Sequence, residues 1–390
     1  MTEGTTNDAG GSTIGVAMVG HAFMGAVHSQ AWRTVHRFFD VPLAPRMVAL
    51  AGRDERRTKE AADRYGWASV ETDWRALLER DDVDLIDICT PGDTHAEIGI
   101  AALEAGKHVL CEKPLANTVD EAERMAEAAE KARARGVHSM VAFNYRRVPA
   151  LSLARRLVAE GRIGEVRHVR AMYLQDWLSD AEAPMTWRLR KDKAGSGALG
   201  DIGAHIVDAT QFVTGEPLTG VSGLTHTFVP RRPGSDGTHE DVTVDDCAVF
   251  TGRFASGAVA VFEATRYALG RKNAMRFEIN GSRGSLAFDF EAMNDLWFYD
   301  GDEPGATAGF RRIVVTEPDH PYVEAWWPPG HGLGYEHTFT HEIADLLTAI
   351  GTNTAPEPSF ADGLRVQRVL AAVEDSAAEG ARWMQVDSAT

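Results

Sequence analysis

Three residues of this chain, Lys113, Asp201 and His205, have side chains suited to moving a hydride and a proton. Asp201 and His205 are four residues apart, so on a helix they would share one face. A histidine near neutral pKa can accept the proton of a hydroxyl group, and a carboxylate beside it can orient the ring. A lysine can bind the same oxygen and stabilise developing alkoxide. Together they predict the catalytic residues of a site that oxidises a secondary alcohol.

Other interpretations of these polar residues stay open at this point. Asp201 and His205 can instead satisfy a buried helix, because buried polar pairs are common. They can also share a metal ion, but the sequence offers no evident third ligand, so no metal site is predicted. His337 and His341 have the spacing of a zinc helix but lack the glutamate that a protease would place after the first histidine. For these two we expect surface or packing positions.

A glycine-rich turn from Gly20 to Gly25 follows an apolar run and precedes a stretch compatible with a helix. In that setting the backbone can bind the pyrophosphate of a dinucleotide. The middle glycine of the usual fingerprint is replaced by Ala22, whose methyl group is tolerable if its φ angle is negative. The turn therefore predicts a dinucleotide cofactor.

The end of the second predicted strand bears on the choice between NAD and NADP. NAD sites normally offer an acidic side chain to the ribose hydroxyl at this point, whereas NADP sites offer space and a cation. Gly52 and Arg53 fit the second arrangement, although Asp54 follows and can turn back, and Arg53 can equally stack on adenine without selecting. We expect NAD or NADP as the cofactor.

The composition favours a soluble protein with a small-molecule ligand. The 390 residues exceed one compact domain, and the formal net charge of −17 argues against a nucleic-acid surface. No apolar run approaches a membrane span. Residues 1–13 lack the apolar segment of a signal peptide and are expected to form a disordered tail. The 3 cysteines cannot all pair and show no zinc spacing, so we expect reduced thiols and a cytoplasmic protein.

Strands and helices alternate in the first part of the chain, which predicts a doubly wound parallel sheet over residues 14–145. The predicted strands cover residues 14–19, 46–51, 83–89 and 108–111. The predicted helices cover residues 25–39, 55–65, 96–105 and 118–135. Gly66, Gly106 and Gly136 are suitable helix ends, and Asp93 or Thr94 is a candidate cap for the third helix.

Strands dominate residues 146–390, so this part predicts an α/β domain with an open, mostly antiparallel sheet that binds substrate and forms oligomers. Helices are expected at about 149–160 and 200–213. The strands are expected at 165–174, 246–254, 258–267, 275–279, 285–290 and 295–299, with hairpin turns at residues 256–257 and 280–281. The turn-rich segments 226–242 and 301–333 are expected to form long loops.

With these motifs assembled, the chain resembles the glucose-fructose oxidoreductase / inositol dehydrogenase (Gfo/Idh/MocA) family. Several short motifs spread over most of the sequence carry the resemblance. They are the glycine turn at 20–25, Thr90-Pro91 with His95, Cys111-Glu112-Lys113-Pro114, Asn144-Tyr145-Arg146, Trp187-Arg188, and residues 200–205 with Asp208. Residues 173–177, 195–205 and 334–335 further resemble the members of the family that oxidise the 3-hydroxyl of pyranosides.

The resemblance implies a Rossmann domain, a second α/β domain, and an active site between them, with Lys113, Asp201 and His205 as catalytic residues. The implied cofactor-binding residues are Gly20, Ala22, Phe23, Met24, Gly25, Arg53, Thr90, Pro91, His95, Glu112, Lys113, Asn144, Trp187 and Arg188. The implied substrate-binding residues are Lys113, Tyr145, Gln175, Trp177, Arg188, Asp201, His205 and Tyr335.

The activity that these residues imply is NAD(P)-dependent oxidation of a secondary hydroxyl, at C3 of a pyranose sugar, glycoside or anhydrosugar. Three alternatives stay open: an inositol (cyclitol) dehydrogenase, an NAD-dependent redox glycosidase, and a non-catalytic sugar or nucleotide sensor of the same fold. The expected partners are a sugar or cyclitol substrate and further copies of the chain in a homo-oligomer, either a dimer or a tetramer. No nucleic acid and no membrane are expected as partners.

Overall fold

The computed structural model describes residues 12–387, whose strands form a six-stranded sheet, a nine-stranded sheet and a two-stranded hairpin. The predicted tail, residues 1–13, lies outside the described residues except for Ser12 and Thr13, which pair with Leu43 and Ala44. The predicted fold class, a parallel sheet followed by a mostly antiparallel one, is confirmed.

The first sheet is parallel throughout. Its strands are β1 (Ser12–Val19), β2 (Leu43–Ala51), β3 (Ser69–Glu71), β4 (Leu85–Ile88), β5 (His108–Cys111) and β6 (Ser139–Val141). Their order is β3-β2-β1-β4-β5-β6, so the winding reverses between β1 and β4, where ligands of such sheets bind. The sequence predicted β1, β2, β4 and β5, and missed β3 and β6, which have only 3 residues each.

Five helices follow these strands. They are α1 (Phe23–Phe38), α2 (Glu55–Tyr65), α3 (Arg75–Leu78), α4 (His95–Glu104) and α5 (Val119–Arg133). Helix α2 has the predicted bounds and ends at Gly66, whose φ of 84° is left-handed. The predicted cap of α4 is wrong, because the Thr94 hydroxyl donates to the carbonyl oxygen of Pro91 (2.8 Å) and no side chain caps the helix.

The second sheet has nine strands. They are β7 (Val166–Leu174), β8 (Leu218–His226), β11 (Cys247–Phe254), β12 (Val259–Thr265), β13 (Ala274–Gly281), β14 (Gly284–Asp289), β15 (Asp295–Asp300), β16 (Arg311–Val314) and β17 (Met384–Gln385). Their order is β16-β15-β14-β13-β7-β12-β11-β8-β17. One central pair, β7 with β12, is parallel, and the others are antiparallel.

Both segments expected to be loops contain strands. The hairpin β9 (Arg231–Pro233) and β10 (His239–Asp241) lies within residues 226–242, and β16 lies within residues 301–333. These strands are 3 or 4 residues long, too short to leave an alternating pattern. Strand β8 was missed because Gly220 and Gly223 interrupt its apolar alternation.

Five further helices flank the second sheet or return to the first domain. They are α6 (Pro149–Ala159), α7 (Lys191–Ala194), α8 (Ala204–Thr214), α9 (Tyr335–Thr352) and α10 (Phe360–Ala378). The helix predicted at 200–213 begins instead as a π-helical turn, Leu199–Gly203, that continues into α8.

The last two helices, which the sequence analysis did not predict, pack against the first domain. Phe339 and Ile343 of α9 share a hydrophobic cluster with Val16 and Met18 of β1. Helix α10 packs on α5 and on β8. The core of the first domain thus includes side chains from the end of the chain, and the predicted domain boundary at residues 145/146 stays a prediction.

Helices α6, α8 and α10 cover one face of the nine-stranded sheet. The opposite face carries half-exposed apolar side chains on its strands: Val249, Val259, Val261, Trp297 and Val314. The register places them in neighbouring strands of one surface. This outer face is the natural candidate for the predicted contact between subunits.

Two further observations bear on the expectations drawn from composition. The thiols of Cys89, Cys111 and Cys247 are all free. Within residues 12–387, every helix is too short or too polar to cross a lipid bilayer.

Candidate active site

A cavity of about 470 Å³ opens where the carboxyl ends of the parallel strands face the second sheet. Most of the residues implied by the family resemblance line it. They are Ala22, Phe23, Met24, Thr90, Pro91, His95, Glu112, Lys113, Asn144, Tyr145, Gln175, Trp187, Arg188, Asp201, His205 and Tyr335. Gly20, Gly25, Arg53 and Trp177 lie outside this lining.

The glycine turn has the geometry that a bound pyrophosphate requires. Gly20 has a left-handed φ of 98°, and a side chain on Gly25 would collide with the carbonyl oxygen of Gly20. Ala22 has a φ of −73°, which satisfies the condition for alanine in the middle of the turn. No side chain caps α1 and its first turn has no acidic residue, so its N-terminal amides are available to an anion. The turn therefore fits a dinucleotide.

The end of β2 offers no carboxylate to a ribose. The Asp54 side chain accepts a hydrogen bond from the Arg57 amide (3.0 Å) and caps α2, so it does not turn back toward the glycine turn. Arg53 is exposed at this end of the strand. Arg53 is therefore the side chain closest in sequence to the strand end at which NAD and NADP are expected to be distinguished.

Lys113 is held at the end of β5 from both sides. Its backbone amide donates to a Glu112 carboxylate oxygen (3.1 Å), and the other Glu112 oxygen contacts His28 Nε2 (3.0 Å). The Lys113 ammonium donates to the carbonyl oxygen of Asp201 (2.8 Å) and lies 3.6 Å from the Asp201 carboxylate. The lysine that follows β5 and the π-helical turn of the second domain are therefore joined directly.

Asp201 contacts Lys113 and Arg266 and does not have the predicted contact with His205. Its carboxylate lies 3.5 Å from Arg266 Nη1, and no hydrogen bond joins it to His205 among the described residues. The physical reason is the π-helical turn, in which residues four apart no longer stack as they do on an α-helix. Burial alone would raise the pKa of Asp201, but Lys113 and Arg266 hold that pKa below its usual value.

Asp208, three residues after His205 on α8, is engaged by a different partner. It is buried and accepts hydrogen bonds from Arg146 Nε (2.9 Å) and Nη2 (2.5 Å). This pair joins α8 to the segment after β6. Its role is therefore to hold the helix that carries His205 in place.

His205 is buried against aromatic rings. Its imidazole lies 4.4 Å from the Tyr145 ring and 6.3 Å from the Phe143 ring. Burial, and then the positive charge of Lys113, lower the pKa of His205 well below its usual value. The ring is thus neutral near pH 7 and can accept a proton from a substrate hydroxyl.

The wall toward the second sheet is a chain of hydrogen bonds. Tyr145 and Tyr173 are joined through their hydroxyls (2.6 Å), and Tyr173 also bonds the Asn273 oxygen (2.6 Å). Gln175 Nε2 donates to the same oxygen (2.8 Å), and Trp177 Nε1 donates to Gln175 Oε1 (3.0 Å). Trp177 therefore acts on the cavity through Gln175.

Arg266 and Asn273 line the cavity but belong to none of the motifs that the sequence analysis identified. Arg266 directly follows β12 and Asn273 directly precedes β13, and the register sets both strands against β7, which carries Tyr173. In the sequence, Arg266 and Asn273 are indicated only by the ends of the strands that they adjoin, because no local motif surrounds them.

Helix α9 closes the cavity from the far side. Tyr335, its first residue, lies 6.3 Å from the Phe23 ring and 6.4 Å from the Tyr145 ring. Asn144 Nδ2 donates to the Thr338 hydroxyl (2.9 Å) one turn later. The helix thus connects the glycine turn with the cavity wall toward the second sheet.

Two other implied cofactor residues have structural contacts of their own. His95 Nε2 lies 2.8 Å from the Thr90 carbonyl oxygen, and Nδ1 lies 3.0 Å from that of Pro114. His95 thus joins the ends of β4 and β5. The Arg188 guanidinium lies over the Trp187 ring at 4.4 Å.

His337 and His341 have the packing role that was expected. Trp326 Nε1 donates to His341 Nε2 (2.7 Å), and the other ring nitrogen of His341 lies 2.9 Å from the Arg147 carbonyl oxygen. Trp326 also packs against Phe38 of α1. These contacts bind α9 and its preceding loop to the first domain.

A buried group under the cavity, His28, Asp87 and Cys89, has atoms close enough to hold a metal. Both nitrogens of His28 are already engaged, Nδ1 by Asp87 (3.0 Å) and Nε2 by Glu112. Burial raises the pKa of the Cys89 thiol, which disfavours the thiolate that a metal needs. The group therefore supports Glu112 and Lys113 by hydrogen bonds.

The fold and site define a class of nicotinamide-dependent oxidoreductases. The model of the oxidoreductase family with an NAD-binding Rossmann fold matches residues 14–140, and that of the GFO/IDH/MocA C-terminal domain matches residues 151–287. The chain belongs to the GFO/IDH/MocA family, and its first domain is an NAD-binding domain.

Particular relatives are similar over almost the whole chain. Levoglucosan dehydrogenase of Pseudarthrobacter phenanthrenivorans is 40% identical over 96% of this chain and 98% of its own length. The crystal structure of an oxidoreductase domain protein from Kribbella flavida is 66% identical, with a TM-score of 0.95 over 97% of this chain and 100% of that one. A levoglucosan dehydrogenase structure in complex with NADH and levoglucosan is 40% identical, with a TM-score of 0.93 and the same coverage.

Proposed function

We propose that this oxidoreductase oxidises a secondary hydroxyl, at C3, of a pyranose sugar, glycoside or anhydrosugar. The observation that carries the proposal is the meeting of Lys113, Asp201 and His205 at one wall of the cavity that the glycine turn also enters. The likeness to levoglucosan dehydrogenase supports a sugar as the substrate. The aromatic and amide-rich lining supports an uncharged ring with several hydroxyls.

In the proposed reaction, the carbon–hydrogen bond of the alcohol breaks with its electron pair and the hydroxyl proton leaves. When bound, the oxidised nicotinamide supplies the hydride acceptor. His205 takes the proton at its imidazole, since burial keeps that ring neutral. Lys113 stabilises the negative charge that develops on the oxygen, and Asp201 orients Lys113 instead of His205.

The remaining expectations belong to the same proposal. Arg53, at the end of β2, permits the 2′-phosphate of NADP as well as NAD, because Asp54 is turned into α2. The cytoplasmic location and the homo-oligomer stay predictions.

The proposal is tested by the absorbance of reduced nicotinamide, with NAD and NADP in parallel and a panel of levoglucosan, other pyranosides and inositols. Steady reduction with a pyranoside supports the proposal, and product analysis identifies the oxidised carbon. Preference for inositols would make the protein a cyclitol dehydrogenase. Aglycone release without net reduction would indicate a redox glycosidase, and binding without any turnover would indicate a sensor.

Replacing Lys113 with Met tests its role. We expect turnover to fall by about 10²–10⁴-fold, because the developing alkoxide loses its cation. NADH binding, measured by fluorescence titration, should change little. Lys131→Met, in an exposed pair with Glu127 on α5, is the matched control. Wild-type turnover in Lys113→Met would exclude the proposed role.

A further inference from the structure

The hydrogen bonds in the cavity wall toward the second sheet form a chain with a fixed direction. Its members are Trp177, Gln175, Asn273, Tyr173 and Tyr145. Trp177 Nε1 can only donate, so the Gln175 atom that it contacts at 3.0 Å is the oxygen. The Gln175 atom that faces Asn273 is then the amide nitrogen, which donates to Asn273 Oδ1 at 2.8 Å. Reversing either amide would set two donors against each other. One indole therefore determines the orientation of both amides.

The same direction continues into the two tyrosines. Asn273 Oδ1 accepts from the Tyr173 hydroxyl at 2.6 Å, which uses the single proton of Tyr173. The hydrogen bond of 2.6 Å between Tyr173 and Tyr145 must therefore be donated by Tyr145. Tyr145 has no proton left for a substrate and offers only the lone pairs of its oxygen.

The hydrogen-bonding atoms of these side chains that remain unpaired then define a pattern of donors and acceptors that a ligand has to match. The Asn273 amide also hydrogen-bonds the Tyr145 side chain, and because Nδ2 carries two protons, at least one of them remains for a ligand. Tyr173 also lines the cavity, but its hydroxyl is engaged by both Tyr145 and Asn273, which leaves Tyr145, Gln175 and Asn273 to meet a ligand. The wall accepts a hydrogen bond at Tyr145 and donates one at Asn273.

We propose that Asn273 is a specificity-determining residue and that Trp177 is a positioning residue that sets its donor and acceptor pattern. The site then selects a polyol ring that presents a hydroxyl hydrogen to Tyr145 and an oxygen acceptor to the Asn273 amide. This inference rests on the proposed function for the identity of the ring, while the direction of the chain rests on geometry alone.

The direction of the chain is measured directly by neutron diffraction from deuterium-exchanged crystals of the full protein. We expect the Tyr145 deuteron to point toward Tyr173, the Tyr173 deuteron toward Asn273, and the ND2 group of Asn273 toward the cavity. A deuteron of Tyr173 pointing toward Tyr145, or a reversed Asn273 amide, overturns the proposal. This result does not depend on any substrate, so it is separate from a failure of the proposed function.

The consequence for recognition is measured by comparing levoglucosan with two kinds of analogue. In each, one of the hydroxyls that are not oxidised is replaced by hydrogen (deoxy) or by fluorine (fluoro). Fluorine accepts a hydrogen bond weakly and never donates one. At the hydroxyl that faces Tyr145, both analogues should lower kcat/KM by about ten-fold or more. At the oxygen that faces Asn273, the fluoro analogue should have a higher kcat/KM than the deoxy analogue. Equal tolerance of fluorine and hydroxyl at every position overturns the proposed pattern.

Two variants separate polarity from packing. Trp177→Phe keeps an aromatic ring but removes the indole donor, so the direction of the hydrogen-bond chain can reverse. The loss of kcat/KM with the analogue that carries fluorine opposite Tyr145 should then shrink several-fold. Asn273→Asp is isosteric and retains the accepting oxygen but lacks the amide donor. The fluoro and deoxy analogues altered at the oxygen that faces this residue should then have the same kcat/KM. Trp383→Phe, at a half-exposed tryptophan that directly precedes β17, is the matched control and should keep the wild-type pattern. Wild-type patterns in both site variants, with their melting temperatures unchanged, overturn the assignment.

Discussion

His205 shows how burial tunes a single residue for its task. The imidazole is enclosed by Tyr145 and Phe143 and faces the positive charge of Lys113, and both effects disfavour its protonated form. A base whose pKa is lowered remains available over a wide pH range but accepts a proton less readily. In the proposed reaction, loss of hydride to the cofactor compensates because it makes the hydroxyl strongly acidic.

We expect the acid limb of kcat/KM to lie below the usual histidine range of about pH 6.5. The physical reason is that His205 stays neutral, and so competent, until the pH falls through its lowered pKa. His205→Asn should lose about 10²–10⁴-fold in turnover and should also lose this limb. The measurement is a pH profile of kcat/KM for both proteins. An acid limb above pH 7 in the wild type would contradict the assignment.

Glu342 is a second residue whose pKa is shifted by burial. Its side chain is 1% exposed on α9, and neither carboxylate oxygen has a hydrogen-bond partner within the described residues. Burial raises its pKa to about 8, with Arg147 and His28 acting in the opposite direction and Glu112 and Asp87 adding to the rise. The folded protein therefore holds a proton that the unfolded chain has released above its ordinary pKa of 4.5.

The free energy of unfolding should fall as the pH rises from about 4.5 to about 8, because the unfolded state binds fewer protons in that window. Glu342→Gln removes this dependence and should stabilise the protein at pH 8 by a few kcal/mol, on the order of the linkage energy. Urea denaturation at pH 5.5 and pH 8 measures the change. Glu336→Gln, on the same helix but half-exposed, is the control. An equal effect of Glu342→Gln at both pH values would contradict the raised pKa.

At the scale of elements, the sequence predicted what local motifs encode. The glycine turn, the Glu-Lys-Pro motif at the end of β5 and the helix of His205 each lie within a few residues, and the structure brings them to one cavity. The partner of Asp201 was not predictable, because a π-helical turn depends on how Gly200 and Gly203 pack and leaves no separate pattern. Arg266 and Asn273 were not predictable either, because strand register places them.

The hairpin β9–β10 anchors the loop that leads from Trp177 to Arg188. Arg232 is fully buried, and its guanidinium donates to the carbonyl oxygens of Leu178 (2.7 Å), Asp180 (2.7 Å) and Ala183 (3.2 Å). It also donates to the Tyr267 hydroxyl. One side chain from a segment far along the chain thus satisfies three backbone groups of a loop beside the cavity.

Arg232→Met should loosen this loop, because it leaves the three carbonyl groups without their donor. We expect the KM for the sugar to rise by about ten-fold with a smaller change in kcat, and cleavage by a broad protease within residues 178–190 to become faster. Kinetics and limited proteolysis with mass spectrometry measure both effects. Arg231→Met, whose exposed side chain pairs with Asp241, is the control. Unchanged KM and proteolysis would show that the hairpin does not hold the loop.

At the scale of the whole molecule, the outer face of the nine-stranded sheet carries a group of half-exposed apolar side chains. Val261 of β12 lies between Thr251 of β11 and Arg170 of β7, and Trp297 lies further along the same row of strands. Exposed apolar side chains grouped in this way are typical of protein interfaces. They support the prediction that the chain forms a homo-oligomer.

We expect Val261→Glu to reduce the oligomer to smaller species, because it would bury an added charge in the proposed contact between subunits. Size-exclusion chromatography with light scattering gives the mass of both proteins. Leu269→Glu, at an exposed position in the loop between β12 and β13, is the control. A monomeric wild-type protein, or an unchanged mass in Val261→Glu, would contradict assembly through this face.

The position of β7 between the parallel β12 and the antiparallel β13 has a consequence for how this protein can evolve. Leu174 is paired with both Thr265 and Ala274, so the residues beyond these strand ends meet at one point although they are distant in sequence. A one-residue insertion in any of the three strands would turn Gln175, Arg266 or Asn273 away from the cavity. We therefore expect the substrate preference to change through side-chain exchanges at Gln175 and Asn273, whereas changes in length are restricted to the opposite ends of the strands.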